Sequence, residues 1–346
     1  MPDLVKAGVV GASGYGGVEL VRLLRGHPYA KLEAVSSRSF HGQNISDIYA
    51  GLRGGVELVL EKDPAEMLDR CQVVFAALPH GLSQELAKEC IDRNKILIDL
   101  GADFRLENED EYRDWYGETF LDKELHKQAV YGLSEIFRER IKTAKLIANP
   151  GCYPTSAALA LYPGLKAGLI NPEGIIIDSK SGVTGAGRSM TQSTHFPECN
   201  EGFSAYKAGG HRHIPEIEQA LSWFSGAKVN VTFTPHLLPV NRGILSTIYC
   251  SLNNTQEALR RCYEETYANE PFVTILRDGE YANIRNVRLS NSCHISLHYD
   301  MRTQKLIICS AIDNMVKGAA GQAIQNMNIA LGMPEDSGLA AISPSF

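Results

Sequence analysis

Near its start the chain reads Val5-Lys6-Ala7-Gly8-Val9-Val10-Gly11-Ala12-Ser13-Gly14-Tyr15-Gly16-Gly17-Val18. Residues 4–11 are a short apolar run that ends in glycine, which predicts a buried strand. Residues 18–25 place apolar side chains at helical spacing and are followed by Gly26-His27-Pro28, which predicts an amphipathic helix with a defined end. The glycines between the two segments allow a tight turn. This order predicts the first half of a βαβ unit.

Further elements repeat the alternation as far as residue 151. Apolar strands are predicted at 31–36, 73–78, 96–100 and 145–148, with helical patterns between them, including 82–94. This arrangement predicts an α/β Rossmann-type domain with a doubly wound parallel sheet over residues 1–151.

The pattern changes after Gly151, where strands follow one another more closely. They are predicted at 174–179, 229–234, 243–251, 294–299 and 305–311. Several alternate with period two, as antiparallel strands with one exposed face do. We expect an α+β domain with a mostly antiparallel sheet over residues 152–312. A last helix is predicted at 314–331, and we expect the tail after Pro334 to be loose.

Composition narrows the class of protein. The 346 residues are 44% hydrophobic and 21% charged, with a formal net charge of −6, which gives no electrostatic reason to expect nucleic acid or a membrane surface as partner. No apolar run approaches the ~18 residues of a membrane span. The first residues, Met1-Pro2-Asp3, lead directly into the first strand, which predicts no signal peptide and a cytoplasmic location.

The eight cysteines are scattered along the chain. They form no C-x-x-C pair and no zinc-ligand spacing with histidine, so we expect free thiols in a reducing compartment and no metal site.

The glycine-rich turn is a candidate binding site for a dinucleotide. Its glycines let backbone N–H groups approach a pyrophosphate at the start of the helix, although a plain tight turn is the alternative. The second strand ends in Ser36-Ser37-Arg38, while the acidic Glu33 falls in mid-strand. Hydroxyls and a cation suit a 2′-phosphate, which favours NADP over NAD, unless Arg38 is simply a solvated loop charge.

Cys152 lies in the sequence Asn149-Pro-Gly-Cys-Tyr-Pro-Thr155, directly before a run of helix formers. Pro154 suits a first helical turn, where the missing N–H costs nothing. A thiol at a helix start faces unpaired N–H groups and the positive end of the helix dipole, which favour the thiolate. Cys152 is therefore a candidate nucleophile, and the alternative is a buried structural cysteine.

Nucleophilic catalysis by a cysteine needs a histidine to transfer protons. The densest candidate segment is Gly209-Gly-His211-Arg-His213-Ile-Pro-Glu216, in which Glu216 could orient an imidazole. Spacing alone does not choose between His211 and His213.

Two further segments follow predicted strands. Arg105, in the segment 99–105, could bind a substrate carboxylate with two N–H groups, or it could pair with Asp99 or Asp103. The glycine-rich segment 179–188, which contains Ser181 and Gly182, could form a nest for an anion or could be a flexible loop.

Taken together, these motifs resemble one family. They are G-A-S-G-Y-G-G, A-D-F-R, N-P-G-C-Y-P-T, S-G-V-T-G-A-G-R, G-G-H-R-H, T-P-H-L-L-P-V-N-R-G and N-M-V-K-G-A-A-G-Q-A. In this order, over residues 11–323, they resemble the N-acetyl-γ-glutamyl-phosphate reductases, a family of the aspartate-semialdehyde dehydrogenase group.

The resemblance implies a role for each of three sets of residues. Cys152 would be the nucleophile and His211 the general acid/base. NADP would be bound by Gly11, Ser13, Gly14, Tyr15, Gly16, Ser37, Arg38, Ser181, Gly182, Asn314 and Lys317. The substrate would contact Arg105, Tyr206, His213 and Glu216.

The resemblance also implies the reaction and the assembly. The expected reaction is NADPH-dependent reduction of N-acetyl-γ-glutamyl phosphate to the semialdehyde through a Cys152 thioester, in arginine biosynthesis. The C-terminal segment 313–346 would return to complete the NADP-binding domain. The catalytic domain would associate through its sheet as a homodimer or homotetramer. The alternatives are a reductase of aspartyl phosphate or of a carrier-linked aminoadipyl or glutamyl phosphate, and a non-catalytic NADP-sensing protein.

Overall fold

The computed structural model describes residues 4–344. The first three residues, on which part of the signal-peptide prediction rests, and the last two of segment 313–346 lie outside this range. The chain forms two compact units. Unit 1 comprises the chain up to Pro150 together with Ala319–Ala340, and unit 2 comprises Gly151–Gly318 together with the residues after Ala340.

Unit 1 is built on a parallel sheet, as the sequence predicts. Its strands are β1 (Val5–Val10), β2 (Ala30–Ser36), β3 (Leu60–Glu61), β4 (Val73–Ala76), β5 (Ile96–Asp99), β6 (Val130–Tyr131) and β7 (Leu146–Ala148). Within residues 4–344 they form one sheet in the order β3-β2-β1-β4-β5-β7-β6, with every pairing parallel. The fold-class prediction is confirmed for this unit.

Helices cover this sheet. They are α1 (Tyr15–Arg25), α2 (Ile45–Ile48), α3 (Ala65–Leu68), α4 (Gln84–Asp92), α5 (Glu109–Tyr116), α6 (Lys123–Lys127), α7 (Ser134–Ile141) and, from the end of the chain, α12 (Gly321–Ala330). The strands β4 and β5 are buried along their whole length, because a parallel sheet covered on both faces has no solvent side. The carboxyl ends of β1, β2, β4 and β5 therefore form an edge of the sheet at which polar loops begin.

Unit 2 contains a mixed sheet, mostly antiparallel, which confirms the prediction. Its strands are β8 (Ile175–Gly182), β9 (Ser204–Ala205), β10 (Val231–Leu238), β11 (Ile244–Cys250), β12 (Val273–Ile275), β13 (Cys293–Asp300) and β14 (Lys305–Ile312). In the described part of the chain the order is β12-β13-β14-β11-β8-β10-β9, in which β8–β10 and β12–β13 are parallel pairs and the others are antiparallel.

The helices of unit 2 are α8 (Cys152–Lys166), α9 (Phe196–Cys199), α10 (Ile214–Ser225) and α11 (Gln256–Tyr267). Helix α8 packs on β11 and β14, and α10 packs on α8 and β10. Under α8 the Ser156 hydroxyl donates to the Ser246 and Ser310 hydroxyls, at 2.9 and 3.1 Å. These small side chains allow a close approach between helix and sheet. None of the helices within residues 4–344 combines the length and the apolar character needed to cross a bilayer.

The end of the chain differs in part from the expectation. The predicted helix 314–331 is helical over 316–330, but it begins as a π-helical turn at Val316–Ala320 before α12. The first part of the tail after Pro334 is packed rather than loose, since Leu339 is buried and the Asn328 amide donates to the Glu335 and Ser337 carbonyls at 3.0 and 2.9 Å. Residues 340–342 are exposed.

Candidate active site

Cys152 is the first residue of α8, at the position that the sequence predicts. The cap residue is Gly151, which has no side chain with which to bind the helix N–H groups, and its backbone is extended. Cys152 is partly exposed, whereas burial raises the pKa of Cys71 to about 11 and the pKa of both Cys90 and Cys250 to about 12. Cys152 is thus a solvent-accessible thiol at a helix start, the setting in which a thiolate is favoured.

The π-helical turn lies directly behind Cys152. A Cβ atom at position 318 would lie 2.8 Å from Cys152 Cβ and 3.2 Å from its Cα, so glycine is required for this close approach. The Gly318 N–H donates to the Asp313 carbonyl at 2.9 Å, and Asp313 Oδ1 accepts the N–H groups of Met315 and Val316. The buried Asp313 side chain therefore holds the turn that supports the cysteine.

Glu216 holds the peptide before Cys152. Its side chain is fully buried, and Oε1 accepts the Gly151 N–H at 2.8 Å. This hydrogen bond fixes the start of α8. The predicted contact of Glu216 with the substrate stays a prediction.

His211 is held in one protonation state by its surroundings. Its Nδ1 accepts the His213 N–H at 3.1 Å, so the ring proton of the neutral form lies on Nε2. Burial lowers the pKa of His211 to about 4, and the charges of Lys207 and Arg212 act in the same direction. At neutral pH the ring is therefore an uncharged N–H donor.

Aromatic rings surround His211. The ring centroids of Tyr153, Phe233 and Tyr206 lie 5.5, 5.5 and 5.6 Å from that of His211, and the ring of His213 lies 4.9 Å away. The structure thus brings together His211, His213 and Tyr206, as the resemblance implies. Tyr153 and Phe233 were missed, although Tyr153 stands next to Cys152 in the quoted motif.

The glycine-rich turn of unit 1 fits a dinucleotide. Gly11 has a left-handed φ of 81°, and a side chain at Gly17 would collide with the Gly11 carbonyl oxygen. Helix α1 begins at Tyr15 after Gly14, which leaves its first N–H groups without a side-chain cap. This is the cradle that a pyrophosphate needs, with Gly16 in the first turn of the helix.

The neighbouring strand end supports NADP rather than NAD. The Ser13 and Ser37 hydroxyls are 2.7 Å apart, and Arg38 is exposed beside them. Glu33, the acidic candidate for a ribose, instead forms ion pairs with Lys31 and Lys6 at 3.1 and 3.8 Å. The hydroxyls of Ser13 and Ser37 and the exposed guanidinium of Arg38 lie at the strand end, where a 2′-phosphate would bind.

The predicted cofactor residues of unit 2 are buried. The Gly182 N–H donates to the Gly243 carbonyl, and Asn314 accepts the Gly243 N–H and donates to the Thr184 hydroxyl. Ser181, before Gly182, is also buried. These contacts join the segment 181–184 to the loop before β11.

Lys317 is fully buried, with its ammonium 5.6 Å from the centre of the Phe272 ring. The role of Lys317 in cofactor binding stays a prediction.

Arg105 joins the ends of β5 and β7. Its side chain is buried, Nε donates to the Asn149 carbonyl at 2.9 Å, and Nη2 donates to the Leu100 carbonyl at 2.8 Å. These contacts fix the guanidinium at the edge of the sheet. Its predicted contact with the substrate stays a prediction.

Asp99 and Asp103 form a buried carboxyl pair at the same edge of the sheet. Asp99 Oδ1 accepts the Ser83 hydroxyl and the Gly101 N–H, while Asp103 accepts the Gly81 and Ser83 N–H groups and the Tyr112 hydroxyl. Burial and the charge of Asp103 raise the pKa of Asp99 to about 7.

Known proteins match both units. Residues 6–144 match the family described as semialdehyde dehydrogenase, NAD binding domain, and residues 152–314 match semialdehyde dehydrogenase, dimerisation domain. A protein of Clostridium botulinum called N-acetyl-gamma-glutamyl-phosphate reductase is 56% identical over 99% of this chain and 100% of its own length. The chain belongs to the N-acetyl-gamma-glutamyl-phosphate reductase family.

Further proteins of this reductase family are similar to the chain over almost its whole length. Proteins of the same name from Clostridium beijerinckii and Brachyspira hyodysenteriae are 54% and 52% identical, each over 99% of this chain and 100% of the relative. Among solved structures, an aspartate semialdehyde dehydrogenase II from Vibrio cholerae superposes with a TM-score of 0.74 at 15% identity, over 95% of this chain and 99% of that one. An NADP complex of the Candida albicans aspartate semialdehyde dehydrogenase has a TM-score of 0.68 at 15% identity, over 94% and 98%. At this identity, these structures show the shared fold.

Proposed function

We propose that the protein catalyses the NADPH-dependent reduction of N-acetyl-γ-glutamyl phosphate to N-acetylglutamate 5-semialdehyde, with release of phosphate, in arginine biosynthesis. The observation that carries the proposal is sequence identity of 56% and 54%, over 99% of this chain, with two proteins called N-acetyl-gamma-glutamyl-phosphate reductase. A partly exposed cysteine at a helix start, which this reaction needs as nucleophile, supports it.

In the proposed mechanism, Cys152 forms a covalent intermediate. The thiolate attacks the acyl carbon, a carbon–sulfur bond forms, the carbon–oxygen bond to phosphate breaks, and a thioester remains on Cys152. When bound, NADPH supplies the hydride that reduces this thioester by two electrons. The carbon–sulfur bond then breaks, which releases the aldehyde and returns the thiolate.

His211 donates a hydrogen bond in this mechanism. Its Nε2–H is the group that can stabilise the negative charge that develops on the acyl oxygen. Because Nδ1 already accepts the His213 N–H, the resting ring has no lone pair with which to take the thiol proton. The thiolate therefore depends on the helix start rather than on an imidazolium partner.

We assign the remaining roles by the same reasoning. The glycine-rich turn with Ser13, Ser37 and Arg38 binds NADP, in a domain formed by residues 1–151 and 313–346. Residues 152–312 form the catalytic and oligomerisation domain. Tyr206 and His213 contact the substrate. We expect a cytoplasmic homodimer or homotetramer that associates through the sheet of unit 2, with no nucleic acid or membrane partner and no metal.

The test of the function is a substrate comparison. In the reverse direction, phosphate-dependent reduction of NADP⁺ is expected with N-acetylglutamate 5-semialdehyde, and little is expected with aspartate semialdehyde. The reverse preference would overturn the proposal.

Cys152→Ser is expected to fold and to bind NADPH with almost no turnover, because a hydroxyl at this position is not ionised. Substantial activity in this variant would remove Cys152 from the nucleophile role.

A further inference from the structure

Tyr153 is the buried aromatic residue that follows Cys152 on α8. Only 2% of its surface is exposed. Its ring lies edge-on to three other rings, with centroid distances of 5.2 Å to Phe233, 5.5 Å to His211 and 5.9 Å to His213. The residue after the nucleophile thus forms one wall of the environment of His211.

The hydroxyl of Tyr153 reaches a second candidate residue of the site. It lies 3.0 Å from the hydroxyl of Tyr206, and it also hydrogen-bonds the Ser181 side chain. Burial raises the pKa of Tyr206 to about 12 and the pKa of Tyr153 further still, and the charge of Cys152 contributes to both shifts. Both phenols therefore keep their protons at neutral pH, and either hydroxyl can donate to the other.

We infer that Tyr153 is a positioning residue: its ring fixes the imidazole of His211, and its hydroxyl, 3.0 Å from that of Tyr206, holds the Tyr206 phenol in place. The inference rests on the proposed function, because Tyr206 contacts the substrate there. It adds to the site a hydrogen bond that ties this phenol to the helix that carries Cys152.

The charges of Lys207 and Arg212 act on His211, and the rings of Tyr153, Tyr206, His213 and Phe233 lie around it. Burial and the two positive charges all lower the pKa of His211. Removal of the Tyr153 ring admits water without changing either cation, so the pKa of His211 is expected to rise toward its ordinary value. Removal of the hydroxyl alone leaves the ring wall in place.

The experiment compares Tyr153→Phe, Tyr153→Leu and Tyr206→Phe with Tyr162→Phe as a matched control. Tyr162 lies on the same helix, and its hydroxyl accepts from Lys166. Tyr153→Phe is expected to raise KM for the acyl substrate about threefold to tenfold at nearly unchanged kcat, the effect of one hydrogen bond. The double variant Tyr153→Phe/Tyr206→Phe is expected to be no worse than Tyr206→Phe, because both changes remove the same interaction. The control is expected to match the wild type.

The second readout needs no substrate. NMR titration of the His211 ring is expected to give a higher pKa in Tyr153→Leu than in the wild type and no change in Tyr153→Phe. An unchanged KM in Tyr153→Phe, additive effects in the double variant, or an unchanged His211 titration in Tyr153→Leu would each overturn the inference. If Tyr153→Leu does not fold, the KM of Tyr153→Phe and the comparison of the double variant with Tyr206→Phe test the inference. If the wild type does not turn over the acyl phosphate, the proposed function fails and the NMR titration still judges the positioning role.

Discussion

Burial and neighbouring charges decide the protonation of individual side chains in this chain. His211 is kept neutral by aromatic rings and two nearby cations, whereas the buried Asp99 retains its proton to about pH 7 beside a second carboxyl group. Both cases follow from the cost of charging a group away from water. At this scale the sequence identified the residue types of the site but not their partners. The separate roles of Arg105 and Glu216 depend on which backbone groups the fold places beside them.

Asp99 leads to a prediction about stability and pH. Its folded pKa of about 7 lies above the ordinary value of 3.8, so the folded chain binds this proton more tightly than the unfolded chain. This contribution to the free energy of unfolding is fully present below pH 3.8 and is lost as the pH rises through about 7. Asp99→Asn keeps the Oδ1 acceptor for Ser83 and Gly101 and has no proton to lose.

The measurement is the thermal unfolding midpoint between about pH 5 and pH 8. Wild type is expected to lose more stability than Asp99→Asn over this range. Asp114→Asn, a change at an exposed carboxylate, serves as the control and should follow the wild type. Parallel curves for Asp99→Asn and wild type would show that Asp99 is already ionised.

Among the secondary-structure elements, the buried strands were the most predictable. Continuous apolar runs such as Val73–Ala76 occur where a strand is covered on both faces. The turn at Val316–Ala320 was not predictable, because small residues continue the helical pattern across it. The start of this turn is set by the Asp313 side chain, whose Oδ1 accepts the N–H groups of Met315 and Val316, and no sequence pattern announces these contacts.

Gly318 gives the prediction for this element. In Gly318→Ala the new methyl group meets Cys152 Cβ, so either the turn or Cys152 must shift. We expect kcat to fall about 10- to 100-fold, as small misplacements of reacting groups cause, and alkylation of Cys152 by iodoacetamide to slow. Gly51→Ala, in the 3₁₀ turn Ala50–Leu52, makes the same change at an exposed site and should leave both rates unaltered. Wild-type kcat in Gly318→Ala would show that the contact can relax without cost.

At the scale of the whole molecule, the chain leaves unit 1 at Pro150 and returns to it at Ala319. The sequence-based boundaries of 151 and 313 came from changes in strand spacing and from the family resemblance, and the hydrogen bonds that fix the return could not be read from sequence. Asn326 on α12 donates to the Gly132 carbonyl and the Asn149 side chain and accepts the Ser134 hydroxyl. One buried amide thus connects three segments that are distant in sequence.

Asn326→Ala is expected to destabilise unit 1 by about 3 kcal/mol, because it leaves buried polar groups without partners. Amide hydrogen exchange should accelerate in β1, β4 and β5 and remain unchanged in β11 and β14. Asn253→Ala removes an exposed amide bonded to the Gly168 carbonyl and is the control. Equal acceleration in both sheets would mean that the units unfold as one.

The return of the chain also has a consequence for synthesis on the ribosome. Helix α12, whose residues Gly321–Ile329 are all buried, packs on α1, α7 and β5, and it is made after residues Gly151–Gly318 of unit 2. At translation rates of about 5–20 residues per second, the emerging N-terminal segment waits roughly ten to thirty seconds for its last helix. During that interval its apolar surface is open to chaperones and to other nascent chains. Most of unit 2 is therefore made before unit 1 can be completed.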